Sequence, residues 1–474
     1  MVDLAPRRIT AGRAALGGLL FGSAVLLGTA VAFAPVATCG AAVAVALLAA
    51  VAVRPVVGAY LLIGASLLLA GVDRGAVLPL VRPHEAIVVL VVAGLMAHAA
   101  FAPGLGARSQ LVARFDRIDV AILALAVTSS IVPLAWMLVR ERPIEQDDLL
   151  YALQLWKLYA VFVVVRVSVR TPQQVMRCLW VFLVTGAFAA LLGIAQALEV
   201  PGVQDLIVRY YTPNTTAADY ASHRATSTVG SSFALADVMV YCMAIAAGLL
   251  VHRIARRGLL TMLATLFVFG TLASGQFSGV IAIFVGVVAF GIITRRLGRS
   301  LVALAVAAVL AATALYPVVD QRLRSFDTPT GLPTSWQGRL DNLERFFLPE
   351  LGEDLNWVTG VRPAAVASAP GRDAIYIESG HVWLLWTGGV ALAVAFVAFL
   401  AISMPAAGRV ARSRSDPIGV AAGASFTSLG VVAVLMVLDA HLTLRGAAEM
   451  SFALLALALV RPRQWAPDPR RSGA

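Results

Sequence analysis

Ser278-Gly279-Val280-Ile281-Ala282-Ile283-Phe284-Val285-Gly286-Val287-Val288-Ala289-Phe290-Gly291-Ile292-Ile293-Thr294, followed at once by Arg295-Arg296-Leu297-Gly298-Arg299, decides what kind of chain this is. The first part holds no charge. As a helix it extends roughly 25 Å, close to the hydrocarbon thickness of a bilayer. The arginine cluster that closes it is the mark of a cytoplasmic helix end. Working outward, the same unit recurs. Apolar runs fall near 14–33, 36–53, 56–72, 85–102, 119–139, 149–166, 176–198, 231–251, 259–273, 278–294, 301–319, 382–404, 418–440 and 447–460. The expected fold is therefore all-α: a polytopic transmembrane bundle of 12–14 helices forming a single integral membrane domain over 1–474.

Composition agrees. Of the 474 residues 60% are hydrophobic and 13% charged, against roughly 45–50% and about 25% in soluble domains. A soluble enzyme, a disordered chain, a disulfide scaffold and a nucleic-acid binder are all excluded. The formal charge of +11 comes almost wholly from arginine, with Lys157 the single lysine. Cys39, Cys178 and Cys242 show no CxxC spacing and read as small membrane-helix residues. Arg7, Arg8 and Arg13 precede an apolar run that reads as a first anchor rather than a cleaved signal.

Threading the runs with the N-terminus inside places Arg54, Arg108/Arg114/Arg117, Arg166/Arg170/Arg177, Arg253/Arg256/Arg257, Arg295/Arg296/Arg299, Arg409/Arg412/Arg414 and Arg461/Arg463/Arg470/Arg471 on one side. With the N-terminal three, that is 23 of the 36 arginines. Positively charged short loops stay cytoplasmic. The predicted outer loops hold Glu141, Glu145, Asp147 and Asp148. Expected localisation is the bacterial inner (cytoplasmic) membrane, with both termini cytoplasmic and membrane lipids as partners.

Two outer segments are long: about 201–230 and about 320–381. The second has six arginines and nine acids; loops of that length are usually functional. Thr334-Ser335-Trp336-Gln337 has capping-box spacing. Trp336, Leu340, Leu343 and Phe347 then recur along one helical stripe. Asp341 and Arg345 form a solvated i,i+4 pair on the other side. Arg339 falls beside the stripe, placing its guanidinium at headgroup depth. The segment reads as a folded lid on the outer leaflet.

The polar residues gather at predicted outer helix ends. His223 and Arg224 precede Gly230-Ser231-Ser232, where a run begins. Ser274-Gly275-Gln276-Phe277-Ser278-Gly279 makes a tight turn. Tyr376-Ile377-Glu378-Ser379-Gly380-His381 closes the long loop. Arginine forks match phosphate oxygens bidentately and stay charged, and holding a pyrophosphate stabilises the charge that develops as it leaves. A His or Glu beside an acceptor hydroxyl can orient or deprotonate it. Asp237 and Asp439 lie within apolar runs, where an acid is costly and marks function by default; Asp237 faces either a polar cavity or a hydrogen bond within the bundle. His98, His252 and Lys157 read as interfacial or bundle residues. Arg322, Arg324, Arg362 and Arg372 fit surface charges as well as any direct role.

Arg224-Ala225-Thr226-Ser227-Thr228-Val229-Gly230, Gly338-Arg339-Leu340-Asp341 with Gly360-Val361-Arg362-Pro363, and Ser379-Gly380-His381-Val382-Trp383-Leu384-Leu385 with Gly388-Gly389 together resemble the O-antigen ligase and bacterial polysaccharide polymerase superfamily over roughly 120–460. The order of elements, above all the large loop between two late helices, matches better than the residues. Members often carry Ser-Arg where Gly275-Gln276-Phe277-Ser278 stands, and an aromatic where Asp341-Asn342-Leu343 stands. The resemblance implies a metal-independent glycosyltransferase without cofactor. Its donor would be a glycan on undecaprenyl pyrophosphate; its acceptor would be a glycan, lipid or protein. On that reading Arg224 and Arg339 hold the donor pyrophosphate, His381 and Glu378 are catalytic, and Asp237 and Arg362 support them. The alternatives are a lipid-linked oligosaccharide flippase or other transporter, and a membrane scaffold with a sensory loop.

Overall fold

The computed structural model describes residues 35–73, 81–101, 111, 115–211, 224–324, 326, 334–367 and 375–461. The run 14–33 with Arg7, Arg8 and Arg13, and also Arg108, Arg114, His223, Arg372, Arg463, Arg470 and Arg471, lie outside what it describes, as do the side chains of the predicted cap residues Thr334 and Ser335. The bundle helices are α1 (Pro35–Val53), α2 (Val56–Leu68), α3 (Pro83–Phe101), α4 (Arg117–Val139), α5 (Gln146–Ser168), α6 (Pro172–Ala197), α7 (Ser232–Val251), α8 (Arg257–Ala273), α9 (Phe277–Thr294) and α10 (Leu297–Ala314). After the lid helix α11 (Thr334–Asn342) come α12 (Gly380–Ser413), α13 (Pro417–Leu435) and α14 (Ala447–Ala458). Among the described residues nine helices are long and apolar enough to cross a membrane, and four shorter apolar helices, including α2, α8 and α14, stand with them. The chain is an all-α, multi-pass membrane protein. In lipid every backbone group must be satisfied within the segment, which is why uninterrupted apolar runs become helices.

Helix starts follow local chemistry. Asp116 accepts from the Ile118 amide (2.9 Å) and Asp119 from the Asp116 amide (2.8 Å), a reciprocal cap on α4. Arg166 ties both carboxylates to α5 at 2.5 and 2.6 Å. Thr171 with Gln174 caps α6, and Asp416 caps α13 ahead of Pro417. The centre is α7 and α13, each with 83% of its span inside the protein, while α10 is peripheral at 6%. Small residues let these backbones approach: Gly286 of α9 lies against Val240, and Gly248 of α7 against Val420.

One end of the bundle gathers arginines. A cavity there is lined by His252, Arg295, Arg296 and Arg412. The lid docks at the other end. Within it α11 passes through a wide turn over Leu343–Phe347 into Leu348–Gly352, then Asn356–Thr359, and a two-stranded ribbon pairs Val366 with Tyr376 and Ala367 with Ile375. The expected stripe divides: Phe347 is fully buried, whereas Trp336 and Leu340 are exposed. The Asp341–Arg345 pair is present at 3.9 Å and is solvated.

Three clamps hold the lid to the bundle. Asn356 Oδ1 accepts from Trp136 Nε1 (3.1 Å) and Arg140 (2.6 Å), and Arg140 also donates to the Val361 carbonyl (2.8 Å). Arg142 pairs with Glu350. Arg362 forks onto Asp148, fully buried at the start of α5, at 2.8 and 2.6 Å, and reaches Glu145 at 2.8 Å. The fourth contact is backbone. At Gly389 (φ 64°, ψ −162°) α12 leaves helical geometry, so the Trp386 carbonyl accepts from the Val361 amide (2.7 Å) instead of its own helix. That backbone region is essentially open to glycine alone.

Candidate functional site

The segment before α7 is woven into the bundle rather than looped over it. Gln196 Oε1 of α6 accepts from the amides of Thr226 (2.9 Å) and Ser227 (3.0 Å). Ser227 Oγ donates to the Ala189 carbonyl (2.7 Å), and Thr228 Oγ1 to the Leu67 carbonyl (2.7 Å). Gly230, at φ 70°, packs directly on Gly71, and the Gly71 amide donates to the Thr228 carbonyl at 2.9 Å. Arg224 is thereby held against the turn after α8: the Ala225 amide donates to the Ala273 carbonyl (3.1 Å), and the Arg224 stem lies beside Gly275. Next to it Gln276 donates to Ser232 Oγ (2.6 Å) at the start of α7.

Arg339 of α11 points into the bundle instead of along its surface. Its Nε lies 3.4 Å from Glu378 Oε2, its Nη1 donates to the Leu438 carbonyl (3.3 Å), and its guanidinium carbon sits 5.4 Å from the centre of the Phe233 ring. Glu378 answers to both arginines. Burial pushes its carboxyl above the ordinary range, Arg339 and Arg224 oppose that, and Asp439 adds to it as a like charge. Asp439 is raised as well, by burial first, with Asp237 adding to it and His441, the Ala440 amide and Arg339 opposing. Asp439 does not lie in a spanning helix as the run 418–440 suggested. α13 ends at Leu435, and Asp439 stands in the turn that follows.

Behind this cluster lies a buried pair. His441 Nδ1 is 2.7 Å from Asp237 Oδ2, with side chains 1% and 0% exposed. Burial disfavours the imidazolium, yet Asp237, helped by Asp439, outweighs it, and the pKa of His441 rises; Arg339 works the other way. Phe233 meets the His441 ring edge-to-face, with centroids 6.4 Å apart, and presents its face to Arg339, joining the two halves of the site. Among the described residues, His441 Nε2, Asp237 Oδ1 and Tyr241 Oη are buried without a hydrogen-bond partner.

Of the residues singled out from sequence, Arg224, Arg339 and Glu378 come together, with Asp237 beneath them through His441. His381, three residues beyond Glu378, makes no polar contact with them among the described residues. It occupies the exposed first turn of α12 and makes no hydrogen bond or ion pair among the described residues. Arg362 also stands elsewhere, in the lid clamp. Sequence reasoning missed Phe233 and His441. The available signal was Asp237 itself, a costly acid needing a partner, together with the close Asp439-Ala440-His441 spacing. Among the described residues no three His, Cys, Asp or Glu side chains are grouped as metal ligands would be. Comparison of the sequence with protein-family models gives no match, and no curated protein matches it.

Proposed function

We propose that the chain is a glycosyltransferase of the O-antigen ligase or polysaccharide polymerase type. It moves a glycan from a polyprenyl-pyrophosphate carrier to an acceptor hydroxyl at the outer face of the bacterial inner membrane, with the lid end outward. The observation that carries the reading is that Arg339 lies 3.4 Å from Glu378 at that end, and that Arg224, from a separate segment, is near enough for its charge to oppose the rise of the same carboxyl. Glu378 is a weak resting counter-ion, because burial disfavours its charge. A diphosphate, with more charge and more acceptor oxygens, displaces it and takes both arginines. The acceptor oxygen then forms a bond to the anomeric carbon, and the bond from that carbon to the pyrophosphate oxygen breaks. The electron pair leaves onto the diphosphate, where the arginines stabilise it.

A proton-coupled flippase is the second reading, favoured by the buried Asp237–His441 pair, since intramembrane acids also serve proton relays. Against it, the pair adjoins the arginine cluster at the lid end, whereas transporter sites lie near mid-membrane. The test uses full-length protein in nanodiscs, with undecaprenyl pyrophosphate as the binding probe. Glycan transfer is followed in cells lacking the native copy. Arg339→Ala should lose donor binding and transfer while inserting normally; Arg345→Ala should retain both. Normal glycan output from well-inserted Arg339→Ala removes the assignment, and glycan translocation without a new glycosidic bond selects the flippase.

A further inference from the structure

We infer that the Asp237–His441 pair is the proton acceptor for the incoming hydroxyl, a role that rests on the transferase reading. Four observations place it there. Asp237 Oδ2 holds the ring through Nδ1 at 2.7 Å, which leaves Nε2 as the open nitrogen, and Nε2 is buried without a partner among the described residues. Buried polar atoms in folded proteins are almost always satisfied, so an orphaned imidazole nitrogen beside an arginine cluster calls for a chemical reason. The carboxylate that orients it is itself fully buried, and its charge stabilises the imidazolium that forms. Finally, Phe233 touches both the imidazole and Arg339, so the base sits one ring away from the group proposed to hold the leaving phosphate.

The step balances. The acceptor O–H gives its proton to His441 Nε2 as the oxygen bonds to the anomeric carbon, and the pyrophosphate departs with the electron pair of the broken bond. The imidazolium is stabilised by Asp237 until the proton passes to water. Because Nε2 is buried in the resting structure, a neighbouring group must move aside first, and that movement is assigned to Phe233. Arg339 packs on that ring, so the movement of Arg339 from Glu378 to the diphosphate couples donor binding to exposure of the base. His381 is exposed and makes no hydrogen bond or ion pair to these groups among the described residues, and this step does not use it.

The groups facing His441 are Asp237 from α7, Asp439 from its own connection and Arg339 from the lid. A base works when neutral, so wild-type kcat should rise with pH through one ionisation. Asp237 raises that ionisation, so Asp237→Asn should move the acid limb to lower pH, whereas a merely structural pair would leave it in place.

The experiment uses full-length protein in nanodiscs. Its donor is the pool of undecaprenyl-pyrophosphate glycans extracted from cells lacking this chain, and its acceptor is the membrane extract of the same cells. His441→Gln and Asp237→Asn should bind undecaprenyl pyrophosphate within about twofold of wild type but transfer roughly 10²–10⁴-fold more slowly in kcat, the range of a general base. Asp237→Glu should recover part of the loss. Normal transfer by His441→Gln overturns the inference, as does loss of donor affinity in step with transfer, or a wild-type kcat that is flat with pH. This last measurement holds even if the variants fail to insert. Failure of wild-type protein to bind the donor or transfer its glycan removes the transferase reading, and the inference with it.

Discussion

Replacing Gly389 by alanine should unlock the lid. At that position φ is 64° and ψ −162°, a region costing a side-chain-bearing residue about 1–3 kcal/mol. An added methyl would also stand 2.0 Å from the Val358 carbonyl oxygen and 2.6 Å from the Thr359 nitrogen. Both are backbone atoms of the docked segment, so relief requires that segment to move, and overpacking of this kind costs about 1–3 kcal/mol more. The combined penalty is about 2–6 kcal/mol, and it falls on the contact between Trp386 and Val361 rather than on the whole bundle. With about 1.4 kcal/mol per factor of ten, the Val361 amide should exchange its hydrogen at least roughly 30-fold faster than in wild type. Hydrogen–deuterium exchange of the full-length protein in nanodiscs reads this directly, with residues 356–362 as the reporter. Gly423→Ala is the control, since nothing lies within 4 Å of a methyl there. Unchanged exchange at Val361 in Gly389→Ala, or equal acceleration in Gly423→Ala, refutes the reasoning that the break exists to receive the lid.

Arg362→Ala strips the fork from the buried Asp148 and should cost about 3–5 kcal/mol; the measurable outcome is earlier proteolytic cleavage within 343–365. Lys157→Met leaves Glu449, 1% exposed and 2.6 Å from the ammonium, without its cation in the bundle interior, a loss of about 3–5 kcal/mol. A thermal unfolding midpoint in detergent equal to that of wild type would contradict it. Glu378 should make donor binding depend on pH. Its carboxyl is raised by burial, so as pH falls through that raised value it takes a proton and frees Arg339. Undecaprenyl pyrophosphate should then bind Glu378→Gln more tightly than wild type near pH 8, by up to about fivefold, the worth of a half-exposed ion pair of about 1 kcal/mol. The two should converge in acid; a pH-independent ratio between them would speak against the counter-ion role.

The sequence alone determined the membrane bundle, because the decisive quantity, a charge-free run long enough to cross a bilayer, is local. Each apolar run within the described residues is one of the helices, and the lid was legible as a gap between runs too long for a turn. The i,i+4 pair Asp341–Arg345 was legible for the same reason. A gathering of Arg224, Arg339, Glu378 and His381 was expected from their positions at helix ends, but no spacing rule could say that Arg339 would turn onto Glu378 with the charge of Arg224 nearby. Arg339 turns inward because the lid is docked by Arg362, Asn356 and the break at Gly389, contacts between segments far apart in the chain. The same tertiary contacts leave His381 exposed and bring His441 against Asp237. A side chain's neighbours across a bundle depend on how helices rotate and tilt against one another. That is set by the sum of many packing contacts, and only the folded arrangement decides it.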